Sequence, residues 1–230
     1  NAKAAFKTFI ENVPFYGFAA MCIDHPEVQT LIGKIIDRRI VTYGFSPQAK
    51  VRGKNVSFSE GSAVFDVEIT NRHDDMITTF DKIEMPMPGR HNVLNALAAI
   101  AVSHELGIAN EVIRSTFSKF SGVKRRFTLV DKVDEITIVD DYAHHPVEIA
   151  SVLSAAREAY NGKVIAIMQP HRYTRLESLF DEFCACFNDA DTVIVSPVFE
   201  AGETPIKGAD QEALINGLQS FGHRDVLKIN

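Results

Sequence analysis

Cysteine is scarce in this chain, and its placement argues against structural disulfides. The three cysteines among the 230 residues are Cys22, Cys184 and Cys186, so at least one of them stays unpaired. Cys184 and Cys186 are two residues apart within one predicted helix, where their side chains diverge. We therefore expect reduced thiols buried in a core, which is a common place for free cysteine.

The chain also lacks an excess of positive charge and a long apolar run. Lys and Arg number 24 against 30 Asp and Glu, for a net charge of −6. This balance argues against a general nucleic-acid or membrane-surface binder, although it leaves room for a local basic pocket that takes an anion. We find no signal peptide and no segment long enough to span a bilayer, so the economical location is the cytoplasm.

What is present is typical of a globular α/β protein. Hydrophobic residues make up 46% and charged residues 23%, and 230 residues are enough for one large domain or two ordinary ones. In the first half, the pattern predicts a β-α-β unit, antiparallel edge strands and a long buried helix. The first elements are an amphipathic helix with Ala2, Ala5, Phe6, Phe9 and Ile10 on one face, a strand at 17–23, a helix from 24 and a strand at 39–43. An antiparallel meander follows at 51–85, with turns at 60–62 and 71–75. The last two elements are a helix at 91–105 and a helix capped by Asn110, with Val112, Ile113, Phe117 and Phe120 facing inward.

The second half alternates strands and helices, which predicts a doubly wound parallel sheet. The predicted strands are 127–133, 136–139, 164–168, 192–198 and 226–229, and the predicted helices are 146–160, 176–190 and 209–221. A glycine and a basic run, Ser121 to Phe127, break the pattern between the halves. We therefore expect two domains, residues 1–122 and 123–230.

Polar residues gather where three predicted strands of the second half end. The segments are 140–145 (D-D-Y-A-H-H), 169–175 (Q-P-H-R-Y-T-R) and 199–206 (F-E-A-G-E-T-P-I). The carboxyl ends of parallel strands share one edge of a sheet, and ligands bind there. Arg172 and Arg175 would suit a carboxylate or a phosphate. The bland alternative is that the acids and histidines only cap a helix that begins at Pro146.

Two asparagines open the long helix of the first half. Asn92 and Asn95 are three residues apart, beside the free amides of the helix start. A carboxamide both donates and accepts, which suits the edge of a purine. The alternative is that the two side chains cap the helix and bond to a loop.

Five segments, taken together, resemble the Mur ligase family. They are Pro88–Ala96 (P-G-R-H-N-V-L-N-A), Arg125–Phe127 (R-R-F), Asp140–Pro146 (D-D-Y-A-H-H-P), Gln169–Arg175 (Q-P-H-R-Y-T-R) and Ala201–Ile206 (A-G-E-T-P-I). The resemblance covers essentially the whole chain in the family's order. Within the family it is nearest to the step that joins L-alanine to UDP-N-acetylmuramate in peptidoglycan precursor synthesis.

The resemblance implies an ATP- and Mg²⁺-dependent, ADP-forming ligase whose three domains bind the UDP-sugar, hold ATP and close over the site. ATP would phosphorylate the muramoyl carboxylate, and the amine of L-alanine would attack the acyl phosphate. The matching positions that would carry this chemistry are Asn92 and Asn95 for adenine, Asp141 for the ribose, Arg126 near the phosphates, and Tyr142, His144, Arg172 and Arg175 at the reacting centre, with His145 and His171 in supporting roles.

The chain also departs from the family's pattern. The phosphate-binding loop G-x-x-G-K-[ST] is absent, and the Lys7-Thr8 pair has no glycines before it. The upstream magnesium ligands and the sugar-nucleotide domain are missing as well, and the chain stops before the family's C-terminal glycine-rich segment. We therefore expect the later part of a central ATP-binding α/β domain followed by most of a Rossmann-like domain, and a polypeptide that is inactive alone.

Three other functions stay open at this point. The first is the recycling ligase that attaches a whole murein peptide to the same sugar nucleotide. The second is a non-catalytic nucleotide-binding module of the same fold. The third is a metal hydrolase built on Asp140, Asp141, His144 and His145, although no metalloenzyme spacing such as H-E-x-x-H occurs.

Overall fold

The computed structural model describes residues 2–59, 61–71, 76–120 and 122–229. It divides the chain into two compact units, residues 1–121 (unit 1) and 122–230 (unit 2). Three predicted features lie partly outside the described residues. They are the turn at 60–62 (at Glu60), the turn at 71–75 (over 72–75) and the boundary segment (at Ser121).

Unit 1 is built on a mixed sheet. In its described part the helices are α1 (Ala2–Glu11), α2 (Pro26–Ile32), α3 (Arg90–Glu105) and α4 (Asn110–Lys119), and the strands are β1 (Ala19–Cys22), β2 (Ile40–Gly44), β3 (Val51–Ser59), β4 (Ser62–Thr70) and β5 (Ile77–Met85). The strands pair in that order, with β1 and β2 parallel and β3 to β5 antiparallel. The predicted β-α-β unit and the antiparallel edge strands are confirmed.

The core of unit 1 follows from the two periodicities. In β4 every second side chain is buried, and α3 buries the residues that recur at helical spacing. These side chains share one cluster, whose fully buried members include Phe65, Val67, Ile83, Val93, Leu97 and Ile100. The prediction of a long buried helix is confirmed for one face of α3 only, because Ala99 and Val102 are exposed.

Two other expectations for unit 1 are corrected. Phe6 and Phe9 are 63% and 72% exposed, because α1 reaches its small cluster through Ile10 near its carboxyl end. Asn110 does not cap α4. Ala109 holds the cap position in an extended conformation and Asn110 is already helical, so its side chain makes no cap bond, and Val112 of the same helix is exposed.

Unit 2 combines a hairpin with a parallel sheet. Its described strands are β6 (Thr128–Val133), β7 (Ile136–Asp140), β8 (Ile165–Met168), β9 (Thr192–Val195) and β10 (Val226–Lys228), and its helices are α5 (Pro146–Ala159), α6 (Tyr173–Ser178), α7 (Phe180–Ala185) and α8 (Gln211–Ser220). Strands β8, β9 and β10 are parallel, in the order β10-β9-β8. The α/β class is confirmed.

The place of β7 differs from the prediction. It pairs antiparallel with β6 in a two-stranded sheet, and Ile136 and Ile138 are exposed. Only Asp134 and Glu135 separate the two strands, and Asp134 adopts a φ of 53°. A two-residue connection permits a hairpin and cannot carry the crossover that parallel strands need.

The predicted helix over 176–190 is two shorter helices. The backbone departs from helical geometry at Leu179, with φ −128° and ψ 29°, so α6 ends and α7 begins there. The apolar stripe survives the break, because Leu176, Phe183, Cys184 and Phe187 are all buried. They join Val193 and Val195 of β9 in the core of unit 2.

The cysteines behave as expected. All three are free, and Cys184 and Cys186 are buried. Burial raises the pKa of Cys184 to about 11 and that of Cys186 to about 12, so both thiols stay protonated at neutral pH.

A capping box starts α5. Pro146 stands in the first turn, the Nδ1 atom of His145 accepts from the backbone N–H of Val147, and the Glu148 carboxylate accepts from the backbone N–H groups of His145 (3.3 Å) and His144 (3.1 Å). Burial alone would raise the pKa of Glu148. The N–H and ring of His144, followed by the N–H of His145, outweigh it and leave the pKa below its ordinary value.

We predict that Glu148→Ala destabilises the chain at neutral pH by about 1 kcal/mol, the usual worth of a helix cap. Because the folded-state pKa of Glu148 is lowered, its contribution is present above its ordinary pKa of 4.5 and fades as the pH falls through the folded value. Urea unfolding of the wild type and the variant at pH 7 and at pH 3 measures the loss of stability and its dependence on pH. Glu158→Ala, at the other end of α5, is the matched control and should leave the free energy of unfolding unchanged. An equal penalty at the two pH values would contradict the assignment.

We also predict that Gly217→Ala destabilises the chain by about 1–3 kcal/mol, as overpacking does. Alanine favours a helix over glycine, but a Cβ at Gly217 would lie 2.5 Å from Sγ of buried Cys184 and 3.0 Å from the Phe180 ring. Asn216→Ala, at the adjacent exposed position of α8, should be neutral or stabilising. Adding Cys184→Ala to Gly217→Ala should recover part of the loss. If Gly217→Ala has the same melting temperature as the wild type, α7 and α8 can move apart at little cost and the prediction is wrong.

Candidate active site

His144 lies in the loop after β7, with one ring nitrogen bonded to the backbone. Its Nδ1 atom is 2.7 Å from the carbonyl oxygen of Tyr142. Because a carbonyl oxygen can only accept, Nδ1 carries the proton in the neutral ring and Nε2 keeps a lone pair. The His144 backbone N–H donates to Glu148, which fixes the position of the loop against α5. In this arrangement the ring can take up a proton at Nε2.

Tyr142 contacts a cation and an imidazole. The Arg125 guanidinium carbon is 4.5 Å from the centroid of the tyrosine ring, and the His144 ring meets it edge-on with 5.0 Å between centroids. Arg125 also pairs with Asp140 at 3.4 Å. Tyr142 keeps 45% of its surface exposed, so its ring can still contact a ligand.

Asp141 is already bonded within its own unit. One carboxylate oxygen accepts from the backbone N–H of Phe127 at 2.8 Å, and the other accepts from that of Ala143 at 2.7 Å. These bonds fold the loop after β7 against the start of β6. Each oxygen has a second lone pair, so the carboxylate retains acceptor capacity. Arg126, next to Phe127, is exposed.

His171 and Arg172 lie in the loop after β8, and Arg175 lies in the helix α6 that follows it. The Nδ1 atom of His171 is buried without a hydrogen-bond partner, and the ring packs on Phe199 with 5.0 Å between centroids. Burial, followed by the nearby charges of Arg175, His144 and Arg172, lowers the pKa of His171 and favours its neutral form. Arg175 Nη1 donates to the His171 carbonyl oxygen at 3.3 Å, and this bond ties the second arginine to the same loop.

The loop after β9 meets the loop after β8. His171 and Phe199 form a parallel bridge, and the N–H of Arg172 donates to the Phe199 carbonyl at 2.9 Å. Glu203 then contacts Arg172 and Thr174. The N–H of Thr174, followed by its hydroxyl, holds the pKa of Glu203 below its usual range despite partial burial, and the Arg172 charge adds to this. The carboxylate is therefore ionised at neutral pH.

The three loops after β7, β8 and β9 come together, as the sequence predicts. The rings of Tyr142, His144, His171 and Phe199 form a row, in which His144 and His171 are 6.2 Å apart between centroids. A cavity of about 400 Å³ adjoins this row between β7 and β8. Its lining combines polar loop residues with apolar residues of β8 and α5, so polar groups converge at the mouth of an apolar cleft.

The two asparagines of unit 1 differ from each other. Asn92 is 6% exposed, and its Nδ2 atom donates to the Pro88 carbonyl oxygen at 2.8 Å, which is the loop contact weighed above. Asn95 is exposed at the start of α3. Of the pair, only Asn95 presents its carboxamide to solvent.

The described residues hold neither a cluster of metal-ligand side chains nor a helix that could cross a membrane. No group of three or more His, Cys, Asp or Glu side chains there is placed to hold a metal ion. Over the same residues, no helix combines the length and the apolar character needed to cross a membrane.

Sequence reasoning gave no site role to two residues that shape this site, Glu148 and Glu203, and it named Arg125 only together with Arg126, as a further cation. Glu148 follows His145 by three residues, and this capping-box spacing was a usable signal. Arg125 adjoins Arg126, and nothing in the sequence separates the two. Glu203 follows Gly202 in a turn, but its partners Arg172 and Thr174 are about thirty residues away.

Comparison with known families accounts for both units. Residues 1–103 match the family described as Mur ligase middle domain, and residues 125–229 match the family described as Mur ligase, glutamate ligase domain. Together the two matches cover most of the chain.

Similar proteins point the same way. Two curated relatives are named UDP-N-acetylmuramate–L-alanine ligase. The one from Bradyrhizobium species strain BTAi1 is 60% identical over 98% of this chain, and the one from Parvibaculum lavamentivorans is 58% identical over 100% of it. A solved structure of the UDP-N-acetylmuramate-alanine ligase of Thermotoga maritima superposes with a TM-score of 0.73 at 26% identity, over 99% of this chain and 45% of that one.

The chain spans about half the length of the curated relatives it matches, 48% and 47% in these two cases. The matched families, the relatives and the fold agree with the motifs read from the sequence. On this evidence, the chain belongs to the Mur ligase family.

Proposed function

We propose that the chain is part of an ATP-dependent, ADP-forming ligase that joins L-alanine to UDP-N-acetylmuramate in peptidoglycan precursor synthesis. The names of the relatives support this substrate pair. The observation that carries the proposal is the meeting of three loops that bring His144 near His171 and its neighbouring arginines. We also propose a cytoplasmic location, where ATP and the sugar nucleotide would be available.

We assign residues 1–122 to the C-terminal part of the central ATP-binding domain and residues 123–230 to the Rossmann-like C-terminal domain. The two compact units and the two family matches support this division. In unit 1 the exposed carboxamide of Asn95 would contact adenine, and Asn92 would hold the preceding loop through Pro88. In unit 2 Asp141 would accept from a ribose hydroxyl while its backbone bonds hold it in place.

The amino acid would bind in unit 2. Arg172 and Arg175 would hold its carboxylate, and Tyr142 would contact it through its exposed ring face. The exposed Arg126 guanidinium would stabilise the negative charge of the transferred phosphoryl group. Tyr142 also holds the tautomer of His144 through its carbonyl oxygen.

The proposed reaction has two steps. The muramoyl carboxylate attacks the γ-phosphorus of ATP, and ADP leaves with the bridging electron pair. The alanine nitrogen then attacks the acyl carbon, inorganic phosphate leaves, and His144 Nε2 takes up the proton lost by the nitrogen. The described residues hold no group of three or more His, Cys, Asp or Glu side chains placed to bind a metal ion, so the ligands of the proposed Mg²⁺ would lie mostly in other parts of the enzyme.

We predict that the 230-residue chain releases no phosphate above background with ATP, L-alanine and UDP-N-acetylmuramate, because it lacks a G-x-x-G-K-[ST] loop to hold the triphosphate. A coupled phosphate-release assay measures this, with the full-length protein as the positive control. Turnover by the short chain would overturn the assignment. Faster turnover of the full-length protein with a murein tripeptide than with alanine would favour the recycling ligase, and no turnover with either would favour a non-catalytic module.

We predict that His144→Ala in the full-length protein lowers kcat by about 10²- to 10⁴-fold, the usual contribution of a general base, and leaves the KM for ATP unchanged. Added imidazole should restore part of the activity, which repair of a purely structural defect would not do. A variant that keeps most of its kcat would exclude His144 as the base.

A further inference from the structure

Arg172 adopts a backbone conformation that its surroundings must maintain. It stands just before α6 with φ 74° and ψ 127°. A side-chain-bearing residue in a sparsely populated region costs about 1–3 kcal/mol and persists only where neighbours determine it. The N–H bond to the Phe199 carbonyl holds the backbone. It does not by itself decide where the guanidinium lies, and 48% of the side chain is exposed.

Glu203 supplies the missing contact. A turn through Ala201 and Gly202, both at positive φ, brings its backbone round, and the N–H of Glu203 donates to the Glu200 carbonyl at 3.0 Å. Its carboxylate accepts from the Thr174 N–H at 3.0 Å and from the Thr174 hydroxyl at 2.8 Å. The oxygen bonded to that hydroxyl is also 3.1 Å from Nε of Arg172. With 18% of its side chain exposed, Glu203 is largely withdrawn from solvent.

The point of attachment on the guanidinium matters. Glu203 contacts Arg172 at Nε, so it leaves the two terminal nitrogens, which carry four of the five N–H donors, for another partner. Two terminal nitrogens match the two oxygens of a carboxylate. Glu203 offsets the charge of Arg172, and Arg175, which donates to the His171 carbonyl oxygen, is a second cation nearby. The local geometry thus orients one arginine and preserves the attraction for an anion.

We propose that Glu203 is a positioning residue: it aims the terminal nitrogens of Arg172 at the carboxylate of the incoming amino acid. This inference rests on the proposed ligase function and adds to it a residue that acts only through Arg172. The competing explanation is that Glu203 simply ties the loop after β9 to α6 through Thr174. The two explanations differ in what a neutral, isosteric substitution should do.

The test uses Glu203→Gln in the full-length protein. The glutamine oxygen can still accept from Thr174, but the charge that holds Nε of Arg172 is gone. We expect the KM for L-alanine to rise about 10- to 100-fold, as for a lost hydrogen bond to a charged group. The KM values for ATP and UDP-N-acetylmuramate should stay within about twofold, since charge-bearing contacts elsewhere are untouched. Glu200→Gln is the matched control: this exposed acid accepts from Tyr173 at 3.4 Å and should leave all three constants unchanged.

A double-mutant cycle with Arg172→Ala separates the explanations. If Glu203 acts through Arg172, Glu203→Gln has no further effect on the KM for alanine once the arginine is gone. A Glu203→Gln effect of the same size in both backgrounds, or a loss spread over all three KM values with a lower melting temperature, would reduce Glu203 to a loop tie and overturn the proposal.

A spectroscopic measurement keeps the test independent of turnover. In protein labelled with ¹⁵N-arginine, the Nε–H signal of Arg172, assigned by its loss in Arg172→Ala, should be protected from solvent exchange and should lose that protection in Glu203→Gln. An unprotected signal in the wild type would overturn the positioning role even if the ligase assay succeeds. Protection lost as expected, in a protein that ligates no alanine, would instead refute the proposed function and leave the pairing intact.

Discussion

Parallel pairing between β8 and β9 places the ends of both strands at one edge of the sheet, and the candidate site depends on that constraint. Met168 lies beside Val195, so the loops that follow leave the sheet side by side. The bridge between His171 and Phe199 extends the parallel pairing beyond the strands. Residues about thirty positions apart are thereby held at hydrogen-bond distance, which neither loop would achieve alone.

The acidic residues and the arginines of unit 2 differ in how far their charged groups are bonded within the protein. Asp141, Glu148 and Glu203 each accept from at least two protein donors, mostly backbone N–H groups, so these carboxylates hold the loops in place. Arg126 and Arg172 keep exposed side chains. A charged group that is bonded internally attracts little from outside, whereas an exposed guanidinium retains its attraction for anions. In this division, the exposed guanidinium groups are the charges at the site that can attract an anion.

Both units form their cores by packing the apolar side chains of strands against helices, but their strands are connected differently. Unit 1 buries alternate side chains of β4 against one face of α3, and unit 2 buries Val193 and Val195 of β9 against its helices. The hairpin of β6 and β7 forms a separate two-stranded sheet, and its two-residue turn joins the two strands antiparallel. It nevertheless carries the loop with Tyr142 and His144, whose position is set by the capping box of α5.

Local patterns in the sequence determined the α/β class, the β-α-β unit, the meander, the apolar stripe over 176–187 and the three polar loops, because periodicity and turn chemistry depend on near neighbours. The family motifs added the order of the parts. Tertiary structure alone decided that Asn92 turns inward while Asn95 stays exposed, that Leu179 interrupts a helix, and that Glu203 pairs with Arg172. Each of these outcomes depends on which distant residue occupies the neighbouring space, and that contact exists only after the chain has folded.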